Sequence, residues 1–118
     1  MKTKVILRGS QLRRRTRLAH ACEARLQRTL ERHTTRIRSS ELRLDTQSGR
    51  DSGLYRATLA IQPESGHSFL ITASADRPWK AAADAAHSAR RALEQERKRK
   101  RARSRRARRG IEAQRWAA

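Results

Sequence analysis

"ASADRPWKAAADAAHSARRAL", residues 73–93, passes from an alternating apolar run into an alanine-rich helix, and its reading decides the fold. Asp76 is a candidate N-cap, and Pro78 suits a first helical turn, where its missing N–H costs little. Trp79, Ala82, Ala83, Ala86, Ala89 and Leu93 then recur every three or four residues, so they share one helix face. Small alanines there let the helix lie close to a sheet, with Trp79 supplying bulk at one end. Lys80, His87, Arg91 and Lys98 form a separate stripe about 100° away. Helix propensity continues through "EQERKRKRARSRRARR", yet residues 97–109 carry ten cations in thirteen positions, and like charges along a helix repel. The expected division is a domain over residues 1–96 and a basic C-terminal extension over 97–118. That extension is expected to be partly helical or disordered in solution and to order on a partner.

Upstream, "YRATLAIQ" (55–62) alternates cleanly, with Tyr55, Ala57, Leu59 and Ile61 on one face. "PESGH" supplies turn residues before "SFLITASA" (68–75), so the pair reads as an antiparallel hairpin. In its second arm Phe69, Ile71, Ala73 and Ala75 make one inner face, although Leu70 and Thr72 leave a one-residue slip open. "RIRSSELRLD" (36–45) is a strand with imperfect alternation and a bulge near Ser39 and Ser40. "TQSGRDSG" (46–53) is a mobile connection between these strands. Near the start, "KVILRG" (4–9) reads as a short strand stopped by Gly9. From Arg14 to His33, Leu18, Cys22, Leu26, Leu30 and His33 repeat at helical spacing. On the same wheel Arg14, Arg17, Arg25, Arg28 and Arg32 gather in a sector more than a right angle from that stripe.

Across its 118 residues the chain carries 30 Lys and Arg against 11 acids, a net charge of +19. The first 96 residues hold +9 of it and the last 22 hold +10. Self-repulsion of that size is relieved by a polyanion, and nucleic acid is the commoner choice over an anionic membrane. No apolar run is long enough for a bilayer span or a signal peptide, so a cytoplasmic location is expected. The single cysteine, Cys22, falls on the apolar stripe and is read as packing. His20, Cys22 and His33 lack metal-ligand spacing, so no metal or other cofactor is expected. No phosphate-cradling glycine loop, nucleophile elbow or acid–base constellation is visible, and no enzyme is expected.

The order strand, helix, strand, strand, strand, helix, with "SAD", Trp79 and "AAAD" (Ala81 to Asp84) opening the last helix, resembles the ribosome hibernation-promoting factor and ribosome-associated inhibitor family. The likeness covers roughly residues 3–98. It implies an α+β fold, β-α-β-β-β-α: a four-stranded sheet with two helices packed on one face, as in a double-stranded-RNA-binding domain with an added strand. It also implies binding to the small ribosomal subunit near the decoding centre, where mRNA and tRNA sites are occluded and translation stops. By position, Arg25 and Arg28 on the first helix, with Lys80, Arg90, Arg91, Arg97 and Lys98 on the second, match the family's basic surfaces for ribosomal RNA. The pattern is that of the short form, since nothing after Arg109 builds the long form's dimerisation domain. The bend before the second helix is about one residue shorter than in the family.

Arg14, Arg17, Arg25, Arg28, Arg32, Lys80, Arg90, Arg91, Arg97 and Lys98 are thus the expected RNA contacts. The expected partners are the small subunit and its ribosomal RNA, with a second hibernation factor as a further candidate, no membrane, and a monomeric state off the ribosome. A general double-stranded RNA-binding module and a constitutive ribosomal or assembly protein are the alternatives. Trp79 has two uses, base stacking or core; its place in the alanine stripe assigns it to the core. With two Trp, one Tyr and one Phe in the chain, a stacking platform is not expected.

Overall fold

The computed structural model describes residues 1–9, 12–46 and 53–117, with side chains through Arg108. Most of the expected connection at 46–53 lies outside the described residues. The elements are β1 (Lys2–Leu7), α1 (Thr16–Thr29), a 3₁₀ segment (Glu31–Arg36), β2 (Ile37–Thr46), β3 (Tyr55–Pro63), β4 (Phe69–Ala75) and α2 (Pro78–Ala117). The strands form one sheet in the order β1-β2-β3-β4. β1 runs parallel to β2, and the other pairs are antiparallel. A parallel pair needs a crossover, which α1 provides. α1 packs on β1, α2 packs on β3 and β4, and the helices touch each other, giving the expected α+β architecture with both helices on one sheet face.

The register of β4 follows from its partner. Ile71 pairs with Leu59 and Ala73 with Ala57, and directly opposed residues point to the same face. Phe69, Ile71, Ala73 and Ala75 therefore turn inward, while Leu70, Thr72 and Ser74 are exposed. In β2 the register shifts between Ile37 and Ser39. Ile37 and Ser40 both turn inward across that irregularity, which explains the broken alternation. Gly9, at φ 95°, follows β1 in the left-handed region that other residues avoid.

The first helix is shorter than its periodicity predicts. α1 stops at Thr29, and the chain tightens into the 3₁₀ segment, with the His33 N–H donating to the Leu30 carbonyl at 2.9 Å. Because a 3₁₀ turn also brings residues three apart to one side, Leu30 and His33 stay buried although the α-helix has ended. The pattern persisted through a change of helix type. At the other end, Leu12 and Arg13 donate to the Gly9 carbonyl at 3.2 and 3.0 Å, so Arg14 sits in a turn ahead of α1.

The second helix needs two corrections. It begins at Pro78, and the Ala81 N–H donates to the Arg77 carbonyl at 3.1 Å. Arg77 therefore holds the capping position, and Asp76 lies one residue too early. The buried face is also turned: Pro78, Ala81, Ala82, Ala85, Ala86, Ala89 and Leu93 are buried, with Ala83 at the margin. Compared with the expected stripe, its centre is rotated by about 40°. Pro78 takes the inward place in the first turn, and Trp79, one step round, emerges 53% exposed. The core reading of Trp79 is overturned.

Leu26, Leu30, Leu42, Leu44, Leu59 and Ile61, each at most 1% exposed, fill the layer between helices and sheet. Burying a side chain of this size contributes about 1.5–3 kcal/mol. The last helix outruns this core. From Leu93, its last buried apolar residue among the described side chains, to Ala117 the helix runs about 36 Å, and the molecule is 69 Å long. Two outcomes are expected. Ala85→Leu, which overfills a site with no exposure, should lower stability in urea by about 1–3 kcal/mol. Amide hydrogen exchange should be slow across Ala82–Leu93 and fast from Lys98 to Arg108, where nothing apolar is docked.

Candidate nucleic-acid interface

On α1 the buried residues Leu18, Cys22 and Leu26 face the core. Helical geometry then sends Arg17 and Arg28 toward the far side and leaves Arg25 on the flank of the buried stripe, and all three are exposed. Arg14 and Arg32 are exposed too, but the first belongs to the preceding turn and the second to the 3₁₀ segment. Five cations expected on one helix are thus three on α1 and one beyond each end.

On α2 the rotated core stripe changes where the cations point. Lys80, Arg91 and Lys98 fall nearly opposite the sheet, away from the body. Arg90 and Arg97 lie on the flank that faces α1 and the 3₁₀ segment. Residues 21–28 border Trp79 and Ala82, while His33 lies by Arg90, Glu94 and Arg97. The helices therefore run in the same general sense. Their outer sides, carrying Arg17, Arg28, Lys80, Arg91 and Lys98, both look away from the sheet, and Arg25 stands on the flank of α1 that borders Trp79 and Ala82.

A residue missed at the sequence level is Arg36. Read as the first residue of a strand, it instead ends the 3₁₀ segment, where its carbonyl accepts from the Glu64 N–H at 2.8 Å. It lines a cleft with Arg97, Lys100, Arg101, Arg105 and Arg108 of α2. Positions 97, 101, 105 and 108 share a helix face by spacing, so this cleft was half legible. Arg36 was not, because only the fold brings it there.

Few of these charges are neutralised locally. Among the described residues, the expected contacts make one ion pair, Arg90 Nε to Glu94 Oε1 at 4.0 Å, where both side chains are about half exposed. Such a pair contributes little to stability. Arg91 Nη2 donates to Ser88 Oγ at 3.4 Å. The remaining two ion pairs, Arg38–Glu64 and Arg43–Glu41, join other surface residues. An array of exposed guanidinium and ammonium groups without acidic partners is suited to phosphate, which guanidinium groups bind in bidentate fashion.

Beneath the array sits His33, 2% exposed, with no described hydrogen-bond partner for its Nδ1. Burial holds its pKa below the ordinary 6.5; Glu94 opposes that shift, while Arg36, Arg97 and Arg90 add to it. The ring is therefore kept neutral. Cys22 is buried as expected, and burial raises its thiol pKa against the pull of Arg15. Among the described residues there is no metal-ligand cluster, and no helix is long and apolar enough to cross a membrane.

No protein-family model and no curated protein matches the chain. In solved structures it is similar to the N-terminal domain of Thermus thermophilus Protein Y, with a TM-score of 0.64 and 14% identity over 80% of this chain and 98% of that one. It is similar also to a ribosomal subunit interface protein from Coxiella burnetii, at TM-score 0.63 and 12% identity over 82% of this chain and 98% of that one. At such identities the likeness is one of fold.

The buried histidine has a measurable consequence. A base whose pKa is lowered by folding binds more protons when unfolded, so stability is full above about 6.5 and is lost as pH falls through the folded pKa. Denaturation followed from about pH 7.5 to 5.5 should show this loss in the wild type and a flatter profile in His33→Gln.

Proposed function

We propose that this chain is a ribosome hibernation factor: it binds the small ribosomal subunit near the decoding centre and blocks translation by occupying the mRNA and tRNA sites. One observation carries the proposal. The unneutralised cations of two helices project from the same side of a fold shared with a ribosomal subunit interface protein. Arg25, Arg28, Lys80, Arg91 and Lys98 meet phosphates of ribosomal RNA directly. Arg90 and Arg97 work from the flank, with Arg14, Arg17 and Arg32 at the margins. The mechanism is steric exclusion by a protein of cytoplasmic location that is monomeric off the ribosome and needs no cofactor.

The extension, residues 97–118, adds a second run of cations that the body's core does not require. On this reading it lies along RNA, which lowers the repulsion among its arginines. Release of condensed counterions drives such binding, and with about 6–10 phosphate contacts affinity falls by about 10³–10⁵ between roughly 50 and 200 mM salt on duplex DNA.

Co-sedimentation with purified small subunits across a salt series, paired with a translation assay, tests the proposal. Binding should be steeply salt-dependent and should reduce translation. Replacing Arg28 and Arg91 together with Glu should lower the log–log salt slope by about 2 or more while the unfolding transition stays in place. Tighter binding to a plain RNA duplex than to subunits would assign the chain to a general duplex-binding module instead. Constant stoichiometric occupancy in growing cells would make it a resident ribosomal protein.

A further inference from the structure

Trp79 is the side chain that the fold leaves unexplained. It is 53% exposed, yet it walls a cleft of about 330 Å³ between α1 and the first turns of α2. Small side chains line it, Cys22 and Ala82 buried and Ala21 and Ala24 exposed, and Arg25 and Arg28 complete its α1 side. No acid lines it. The volume is near the lower end of small-ligand sites, about 300–1,000 Å³, and is too small for a docked helix of about 10–12 Å diameter.

We propose that this cleft takes one unstacked nucleobase of single-stranded RNA, with the base lying on the Trp79 indole and its flanking phosphates held by Arg25 and Arg28. The chemistry is specific to that ligand. An indole face stacks on any base, and a guanidinium on each of two successive helix turns meets the phosphates on either side of it. With a chain charge of +19 and a cationic rim, an anionic polymer carrying planar rings complements the cleft where an apolar peptide does not. The inference rests on the reading of the helix layer as an RNA surface. It adds that the surface distinguishes unpaired RNA from duplex, whose bases are already stacked.

Trp79 and Trp116 are the two tryptophans of the chain, so a Trp116→Phe protein has one indole and fluorescence reports on the cleft alone. It is titrated with a short single-stranded oligoribonucleotide, with an abasic ribose-phosphate strand of equal length, and with a blunt RNA duplex. Saturable quenching is expected from the base-bearing strand and little from the other two. Measured by fluorescence anisotropy of a labelled strand, Trp79→Ala should weaken the base-bearing strand by roughly fivefold to a hundredfold and leave the abasic strand unchanged, and Trp79→Phe should recover most of the loss. Circular dichroism confirms that both variants fold.

Equal quenching by the abasic strand, or an Ala variant that binds the base-bearing strand as well as the parent, overturns the base site. So does quenching by an apolar peptide in preference to RNA. Base-dependent quenching together with no affinity for small subunits keeps the cleft and removes the ribosomal reading. Subunit binding with blocked translation and no base dependence removes only the cleft.

Discussion

The packing of α2 on β3 and β4, through a buried face that includes Ala81, Ala85 and Ala89, is the constraint from which the molecule's surface follows. Each of these alanines is without solvent exposure, and turning the helix away from this setting would bring larger or charged side chains into a layer fitted to small ones. Once the helix is locked, every other residue on it has a fixed direction. Lys80, Arg91 and Lys98 are turned outward, Arg90 and Arg97 flank the 3₁₀ segment, and Trp79 opens into the cleft beside α1. A rotation of about 40° separates a tryptophan in the core from a tryptophan at the surface.

The body and its extension answer the same electrostatic problem in different ways. In the body, leucine and alanine burial between helices and sheet offsets the repulsion of nine excess positive charges. Beyond Leu93 no apolar side chain is buried among the described residues, and the helix is maintained by its own hydrogen bonds against like charges a turn apart. Such a segment gains most from a polyanion. Arg36 joins the two regimes, because it comes from the body and lines a cleft whose other cations belong to the extension.

His33 lies where these regimes meet. Its burial under Arg36, Arg90 and Arg97 keeps it neutral, so the packing of the 3₁₀ segment against α2 adds no further positive charge to a surface already rich in it. The 3₁₀ turn that buries the ring also sets the chain's course into β2. A small irregular element thereby positions both Arg36 and the strand that pairs with β1.

By itself the amino-acid sequence determined the order of the four strands and two α-helices, the inward faces of β3 and of α1, the burial of Cys22 and the excess of cations over acids. Periodicity and composition are local properties, and these are their direct readouts. Only tertiary structure decided the rest. The register of β4 came from its pairing with β3, because both of its faces are apolar enough to be buried. The end of α1 at Thr29 was hidden because α and 3₁₀ turns bury residues three apart alike. The exposure of Trp79 depended on Pro78 taking the inward position, and the approach of Arg36 to α2 depended on a chain reversal between them. In each case two alternatives satisfied the local pattern equally, and a contact from a distant part of the chain selected one.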